Sequence, residues 1–345
     1  MKCSIVIRSY NEEKYIERLL LGIRAQSLEP HEVILVDSGS TDRTVDIALE
    51  HGVKLISIDK REFTFGRALN VGCAAATGDI LVFASAHVYP SYSNWLETLV
   101  EPFCDERVVL SYGKQRGNRV SRFSERQIFS KWFPNGSVCP QRSYFCNNAN
   151  CAVRRSAWEA LAYDETLTGL EDLAWAREAQ ARGGWIAYQS EAEIIHVHEE
   201  SWEKIENRYR REAIAMRTID SHASFTWWDM LRLMVANIVA DSRAAIAERA
   251  FTQELSSIVN FRFRQLWGTY KGYKGSPEIS AELRQRFYFP VTAADLEAAE
   301  RKLCHRRIDY DALEAEAKRR TVEFAARAVP VDTGRRSREL DRNRI

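Results

Sequence analysis

The sequence predicts an α/β fold on a mostly parallel sheet, followed by a helical region. Three observations carry this. Short apolar, β-rich runs alternate with amphipathic helical stretches through the first half, turn residues separate them, and polar residues cluster where the strand-like runs end. Strands alternating with helices form βαβ units and hence parallel sheets, in which ligands lie outside the carboxyl ends of the strands.

Each element follows from its residues. Residues 3–8 read as the first strand, and from Lys14 the apolar residues Tyr15, Ile16, Leu19, Leu20 and Ile23 fall at helical spacing. Residues 33–36 form a second strand ending in Asp37-Ser38-Gly39-Ser40, with Ser40 or Thr41 capping a helix that runs to about Glu50. Residues 54–58 are a third strand, 67–76 a helix closed by the turn Thr77-Gly78-Asp79, and 80–83 a fourth strand. A helix at 94–103 and a fifth strand at 108–112 follow. Residues 117–146, rich in Arg, Ser and aromatics, read as loops and a helix over the face where strands end. Residues 171–182 are a helix, 185–188 and 192–197 two short strands, and 201–218 a strongly charged helix.

Composition changes after about Thr218. Residues 225–275 are apolar, aromatic, basic and mostly helical, 290–326 read as surface helix, and 335–345 as a polar tail expected to be disordered. The expected organisation is therefore a catalytic domain over 1–220, a helical accessory region over 221–330 and a tail over 331–345.

Bulk properties narrow the function. A chain of 345 residues accommodates one large domain and an accessory region. The net charge of +1 gives no case for nucleic acid. Seven cysteines, an odd number without a CxxC pair, read as reduced thiols of a cytoplasmic protein. The spacing of Cys139, Cys146 and Cys151 fits no standard zinc knuckle. No apolar run approaches the roughly 18–20 residues of a membrane span, and the N-terminal run is too short for a signal peptide.

The stretch Ser4-Ile5-Val6-Ile7-Arg8-Ser9-Tyr10-Asn11-Glu12-Glu13, followed by Val33-Ile34-Leu35-Val36-Asp37-Ser38-Gly39-Ser40-Thr41-Asp42, resembles the opening of family 2 glycosyltransferases of GT-A fold. The likeness continues through Gly66-Arg67-Ala68-Leu69-Asn70, Thr77-Gly78-Asp79 and Gly169-Leu170-Glu171-Asp172 to His196 and His198, over roughly residues 1–220. It implies inverting transfer from a nucleotide-sugar donor to a glycan or lipid-linked acceptor, in bacterial polysaccharide or cell-envelope synthesis. It also implies donor-binding roles for Tyr10, Glu12, Asp37, Arg67 and Asn70. These suit the chemistry: Tyr10 for stacking on the base, Glu12 for ribose, Asp37 for a uracil-like N–H, and Arg67 and Asn70, about one helical turn apart, for the diphosphate and the base or ribose. The alternative for Arg67 is a surface salt bridge.

One segment departs from the family pattern. Where relatives carry Asp-x-Asp for a divalent metal, this chain has Ser85-Ala86-His87. Neutral Ser85 and His87 suit magnesium poorly, and imidazole suits manganese or another transition metal better. His196 and His198 lie two apart on a strand-like run and so share a face. A metal on His87 and His196, with His198 as alternate ligand, stands beside a metal-free reading in which Arg67, His87 or another cation neutralises the diphosphate.

Asp172, beside Glu171 at a helix start, occupies the position the family uses for its general base. Asn147, Asn148 and Asn150 are candidate contacts for sugar hydroxyls, and Trp175 and Trp185 are either stacking platforms or core residues. A rival reading is a GT-A module that binds nucleotide sugar or glycan without transfer. A Rossmann oxidoreductase is disfavoured because no GxGxxG follows the first strand. Aromatics and cations mixed over Phe225–Trp228 and Phe261–Lys274 suggest peripheral contact with the inner face of the membrane, packing on the catalytic domain, or a homodimer contact.

Overall fold

Strand β1 (Cys3–Ser9) is the spine of the fold. In the computed structural model, which describes residues 1–274 and 307–327, it pairs in parallel with β2 (Glu32–Asp37) on one side and β4 (Ile80–Ser85) on the other. With β3 (Lys54–Ser57), β5 (Val88–Pro90), β6 (Val108–Arg116), β7 (Asn150–Arg154) and β8 (Trp185–His196) they make an eight-stranded sheet, ordered β3-β2-β1-β4-β7-β6-β8-β5. The β3-β2-β1-β4 half is parallel throughout, β6 pairs in parallel with β8, and β7 and β5 run antiparallel to their neighbours. The two short strands expected at 185–188 and 192–197 are one continuous strand, β8.

Strands buried on both faces read as apolar runs. Val6, Val36 and Phe83 point to one face, beneath α3 (Phe65–Ala75) and α7 (Glu171–Ala181). Ile5, Ile7, Leu35 and Val82 point to the other, packing on α1 (Ile16–Arg24), α2 (Thr44–Glu50) and α4 (Trp95–Val100). The alternation is the period-2 geometry of a pleated strand. Both cores are continuous, so the sheet is a rigid platform for whatever its edge carries.

The region expected as loops and a helix contains α5 (Phe123–Trp132), and β7 continues into the short helix α6 (Arg155–Ala160). Helix α8 (Trp202–Ile219) leads to α9 (Trp227–Ala247), which opens on a Thr226–Asp229 capping box, and then to α10 (Phe251–Tyr273). The composition shift near residue 220 is no break in packing, since the described residues on either side of it, up to Tyr273, belong to one compact unit. Helix α10 lies close along α8 because Gly268 and Gly272 face it. A Cβ on Gly268 would stand 2.3 Å from the Glu206 carbonyl oxygen, and one on Gly272 2.5 Å from the Ala213 Cβ. A second unit begins at Asp309 and contains α11 (Tyr310–Arg327). The expected 290–326 helix lies partly outside the described residues, and the tail and Cys304 wholly so.

Three cations of the segment expected to face lipid or pack on the catalytic domain are ion-paired within the protein, and one of them is buried. Arg262 is 5% exposed and grips Asp241 through Nε and Nη2, at 2.7 and 2.8 Å. Arg264 and Lys271 both pair with Glu206, at 2.8 and 2.7 Å. Burying one face of α10 against α8 and α5 carries Arg262 inward with it. Outward from α9, Trp228, Val235, Val239 and Ile246 are exposed, beside the exposed Arg232 and Arg243.

Candidate active site

The parallel register aligns strand ends. Ser9 sits opposite Asp37, and Arg8 opposite Ser85. Arg116 of β6 sits opposite Ile195 of β8, and Val88 of β5 opposite His196. Antiparallel β7 starts at this edge, with Asn150 opposite Ala84, which brings the 147–149 turn there as well. Residues far apart in sequence thus meet along a cleft of about 650 Å³. It is lined by Tyr10, Glu12, Ser85, His87, Asn147, Asn148, Glu171, Asp172, His196 and His198, all ten expected at the site from sequence.

The first two loops are knitted together. Asn11, in left-handed conformation (φ 55°), donates from its backbone to Ser40 Oγ at 2.9 Å and accepts from Thr41 N at 2.8 Å. The Glu12 backbone donates to Thr44 Oγ1 at 2.7 Å. Tyr10 stays 40% exposed, with Lys60 Nζ 4.4 Å from its ring centre and donating to its hydroxyl.

Asp37 is buried and its oxygens are already occupied. Oδ2 accepts from Gly39 N and Ser40 N (2.9 and 2.8 Å), and Oδ1 from Ser9 Oγ and Ser40 Oγ (3.0 and 2.5 Å). Four acceptances nearly fill a carboxylate, so Asp37 first shapes the 38–40 turn, and a base N–H could bind it only by displacing a hydroxyl. Asp37→Ala is expected to weaken nucleoside diphosphate binding by roughly 1.5–3 kcal/mol and to lower the melting temperature with it. Calorimetry showing unchanged affinity beside a lowered melting temperature would make the role purely structural.

Four further expectations move away from the cleft lining. Arg67 pairs with Glu62 at 2.9 Å and Glu165 at 3.5 Å, the salt-bridge alternative. Asn70 Nδ2 donates to the Tyr163 carbonyl and Glu165, and its Oδ1 accepts from Trp158 Nε1 and Tyr163 N, so the amide tethers the 158–165 segment. Asn150 is fully buried: its Oδ1 accepts from Trp95 Nε1, and its Nδ2 donates to the Lys114 and Ala192 carbonyls. Trp175 is buried with Nε1 donating to the Leu161 carbonyl, a core residue and not a sugar platform. The partners of Asn70, Asn150 and Trp175 lie 14 to 95 residues away in sequence, beyond the reach of a local pattern. Cys139, Cys146 and Cys151 form no metal-ligand group among the described residues.

Helix α7 opens from Leu170, held at φ 57°. A bulky residue in this conformation costs on the order of 1–2 kcal/mol, and such strain gathers at functional sites. It presents Glu171 and Asp172 at the helix N-terminus, where the dipole favours carboxylates. Glu171 is committed to Arg8, with Nη1 2.8 Å away. Asp172, 8% exposed, accepts from Asn148 N at 3.1 Å and Leu173 N at 2.9 Å. The Asn148 side chain is buried with neither its oxygen nor its nitrogen partnered among the described residues, which leaves that amide for a ligand hydroxyl.

The histidines meet. Ring centres lie 5.1 Å apart for His87 and His196, 4.1 Å for His196 and His198, and 5.6 Å for His87 and His198. Each Nδ1 has an oxygen behind it: Glu12 Oε1 at 2.8 Å for His87, Gln115 Oε1 at 2.7 Å for His196, and Glu125 Oε1 at 2.7 Å for His198. Burial, then the neighbouring His198, His87 and Arg208, pushes the His196 pKa well down and keeps that ring neutral. Burial disfavours ionised Glu125, but His198 and Arg208 outweigh it and hold its carboxyl at about 2. One potential ligand atom from each ring lies within 4.8 Å of the others. Gln115, Glu125 and Arg208 were not expected from sequence. Gln115 lies three residues past the strand end expected at 112, because β6 runs on to Arg116, whereas Glu125 sits on a helix 73 residues from its histidine.

The doubly covered sheet thus carries a polar cleft at its strand ends, with a helix-start carboxylate and a histidine cluster in its wall. Residues 4–161 match the family described as Glycosyl transferase family 2. The chain is 25% identical over 210 residues to the O-antigen chain rhamnosyltransferase RfbN of Salmonella typhimurium, covering 57% of this chain and 67% of that protein. It is 29% identical over 190 residues to the O-antigen chain rhamnosyltransferase WbaN of Salmonella anatum, covering 51% and 60%. Among solved structures it resembles the mannosyltransferase PcManGT from Pyrobaculum calidifontis, in complex with GDP-Man and Mn2+. There the TM-score is 0.54 and the identity 17%, covering 80% of this chain and 88% of that one.

Proposed function

We propose that this protein is an inverting glycosyltransferase with Asp172 as general base, moving a sugar from a nucleotide-sugar donor to a glycan or lipid-linked acceptor of the bacterial cell envelope. The observation that carries this is the Asp172 carboxylate, held by two backbone N–H groups at the start of α7 in the wall of the cleft.

In a single in-line displacement the acceptor oxygen bonds to the anomeric carbon as the bond from that carbon to the diphosphate oxygen breaks. The acceptor proton passes to Asp172. Arg8 holds Glu171 through a salt bridge of 2.8 Å. The unpartnered Asn148 amide suits a sugar hydroxyl, and the exposed Tyr10 ring suits the donor base. The residues present also fit a divalent ion: a neutral His196 whose Nε2 is buried without a partner, beside His87 and His198. Such an ion would neutralise charge on the leaving diphosphate. In the metal-free alternative, Arg67, His87 or another cationic side chain would neutralise the diphosphate instead.

The rival reading, a binding module without transfer, rests on the absent Asp-x-Asp. A donor-hydrolysis and transfer screen across nucleotide sugars separates the two, and donor binding without any turnover would favour the module.

No helix among the described residues is long and apolar enough to cross a membrane. A lipid-linked acceptor would then be met at the inner face of the cytoplasmic membrane, with the Trp228, Val235, Val239 and Ile246 face of α9 toward the lipid. Co-sedimentation with anionic vesicles is expected to fall when Trp228 and Val235 become Ser, and to be little changed by Arg264→Gln. Monomeric protein that ignores vesicles at low salt would overturn the membrane reading, and a stable dimer that ignores them would assign the face to the subunit contact.

A further inference from the structure

The histidine cluster carries more than a generic metal assignment. We infer that His87, His196 and His198 form an all-nitrogen site for a late first-row divalent ion of the zinc and cobalt class, not for manganese or magnesium, with Glu12, Gln115 and Glu125 fixing the rings from behind. Its place at the diphosphate rests on the transfer reading above; its ligand set does not.

The argument starts from the rings. An oxygen 2.7–2.8 Å behind each Nδ1 accepts the proton there, which leaves the lone pair on Nε2. That is the arrangement in which proteins present imidazole to a metal: the outer oxygen fixes the tautomer, orients the ring and raises its basicity. Three independent elements do this, since Glu12 follows β1, Gln115 lies on β6 and Glu125 on α5. A single such pair is commonplace; three converging on ligand atoms within 4.8 Å of one another are a built site. Its innermost member, His196, is 5% exposed and its Nε2 has no hydrogen-bond partner among the described residues. A buried polar atom left unpaired is costly, and a metal would satisfy it.

Donor chemistry then selects the ion. Imidazole suits zinc, copper, iron and nickel, whereas carboxylate and water suit magnesium, calcium and manganese. The segment that would supply carboxylates reads Ser85-Ala86-His87. The carboxylates of Glu12 and Glu125 stand nearby, but as partners of Nδ1. A second group, Glu125, His198 and Glu200, also has ligand spacing. A cation already occupies it, because Arg208 Nη2 lies 2.7 Å from both Glu125 Oε1 and Glu200 Oε2. Three imidazoles leave an ion open to an oxygen of the substrate, as catalytic sites require.

The test uses metal-free full-length protein titrated with zinc(II), cobalt(II), manganese(II) and magnesium(II) against a chromophoric chelator, with no donor present. One equivalent of zinc or cobalt is expected to bind, on the order of 100-fold or more tighter than manganese, with cobalt giving the visible absorption of nitrogen ligation. His87→Ala, on a half-exposed turn, and His196→Ala, in the strand, should each abolish that band. Circular dichroism will show which variant keeps its fold. Glu12→Gln should weaken binding by roughly 10–100-fold while leaving stoichiometry unchanged. Manganese binding within tenfold of zinc, or zinc uptake undiminished in a folded His87→Ala protein, overturns the inference. Zinc uptake by a protein that transfers no sugar keeps the site and removes the transfer reading. Transfer in a protein that binds no zinc removes the site and keeps transfer.

Discussion

Asp172→Asn is expected to lower glycosyl transfer by about 10²–10⁴-fold, the usual contribution of a general base. Donor affinity should stay nearly unchanged, because the proton is taken from the acceptor and not from the nucleotide. The substitution is not structurally silent. Both Asp172 oxygens accept backbone hydrogen bonds, from Asn148 N and Leu173 N, and an amide nitrogen cannot accept. One lost bond costs roughly 1 kcal/mol, a shift of a few degrees in melting temperature for a chain of this size. Steady-state turnover, donor calorimetry and thermal unfolding on the same preparation separate the two effects. A folded variant that keeps more than about a tenth of wild-type turnover would remove Asp172 as base. A variant that loses donor binding in parallel would place the residue in ground-state recognition.

Arg262→Ala is expected to destabilise the protein by about 3–5 kcal/mol, the cost of stripping the partner from a buried charge. Arg262 and Asp241 are 5% and 3% exposed, and the guanidinium meets both carboxylate oxygens. Ser124 Oγ adds a third bond to Asp241 at 2.6 Å, so the pair ties α5, α9 and α10 together. Removing Arg262 leaves Asp241 with the serine alone. An exposed ion pair would cost under about 1 kcal/mol, so denaturant unfolding distinguishes a buried tie from a lipid-facing cation. Changing both residues together to apolar ones of similar volume should recover much of the loss. Helix α5 also carries Glu125, so the single variant should loosen His198 as well as the helices.

The catalytic half was legible because its signals are local. Apolar runs of four to nine residues with turns between them specify strands and crossovers, and crossover handedness then aligns strand ends. Tyr10, Glu12, Ser85 and His87 could therefore be placed at one edge from their position after a strand alone. The hydrogen bonds that join the Tyr10-Asn11-Glu12 turn to the Ser40–Thr44 turn explain why those two motifs occur together. The Glu171-Asp172 pair was equally readable, since a helix start exposes unpaired N–H groups that favour acids.

Asn70, Asn150 and Trp175 show where such reading stops. A polar or aromatic residue near a motif looks the same in sequence whether it meets a ligand or a distant backbone carbonyl. The same holds for Arg262: its charge suggested a surface, and only the packing of α10 shows it facing Asp241. By itself the sequence determined the alternation of elements, the edge of the sheet that carries chemistry and the carboxylate at the start of α7, because each follows from patterns within a few residues. The tertiary structure alone decided which polar side chains are spent on the fold and which oxygens stand behind the three histidines that the sequence had grouped. Those are questions of hydrogen-bond satisfaction between segments tens of residues apart, and no local periodicity encodes them.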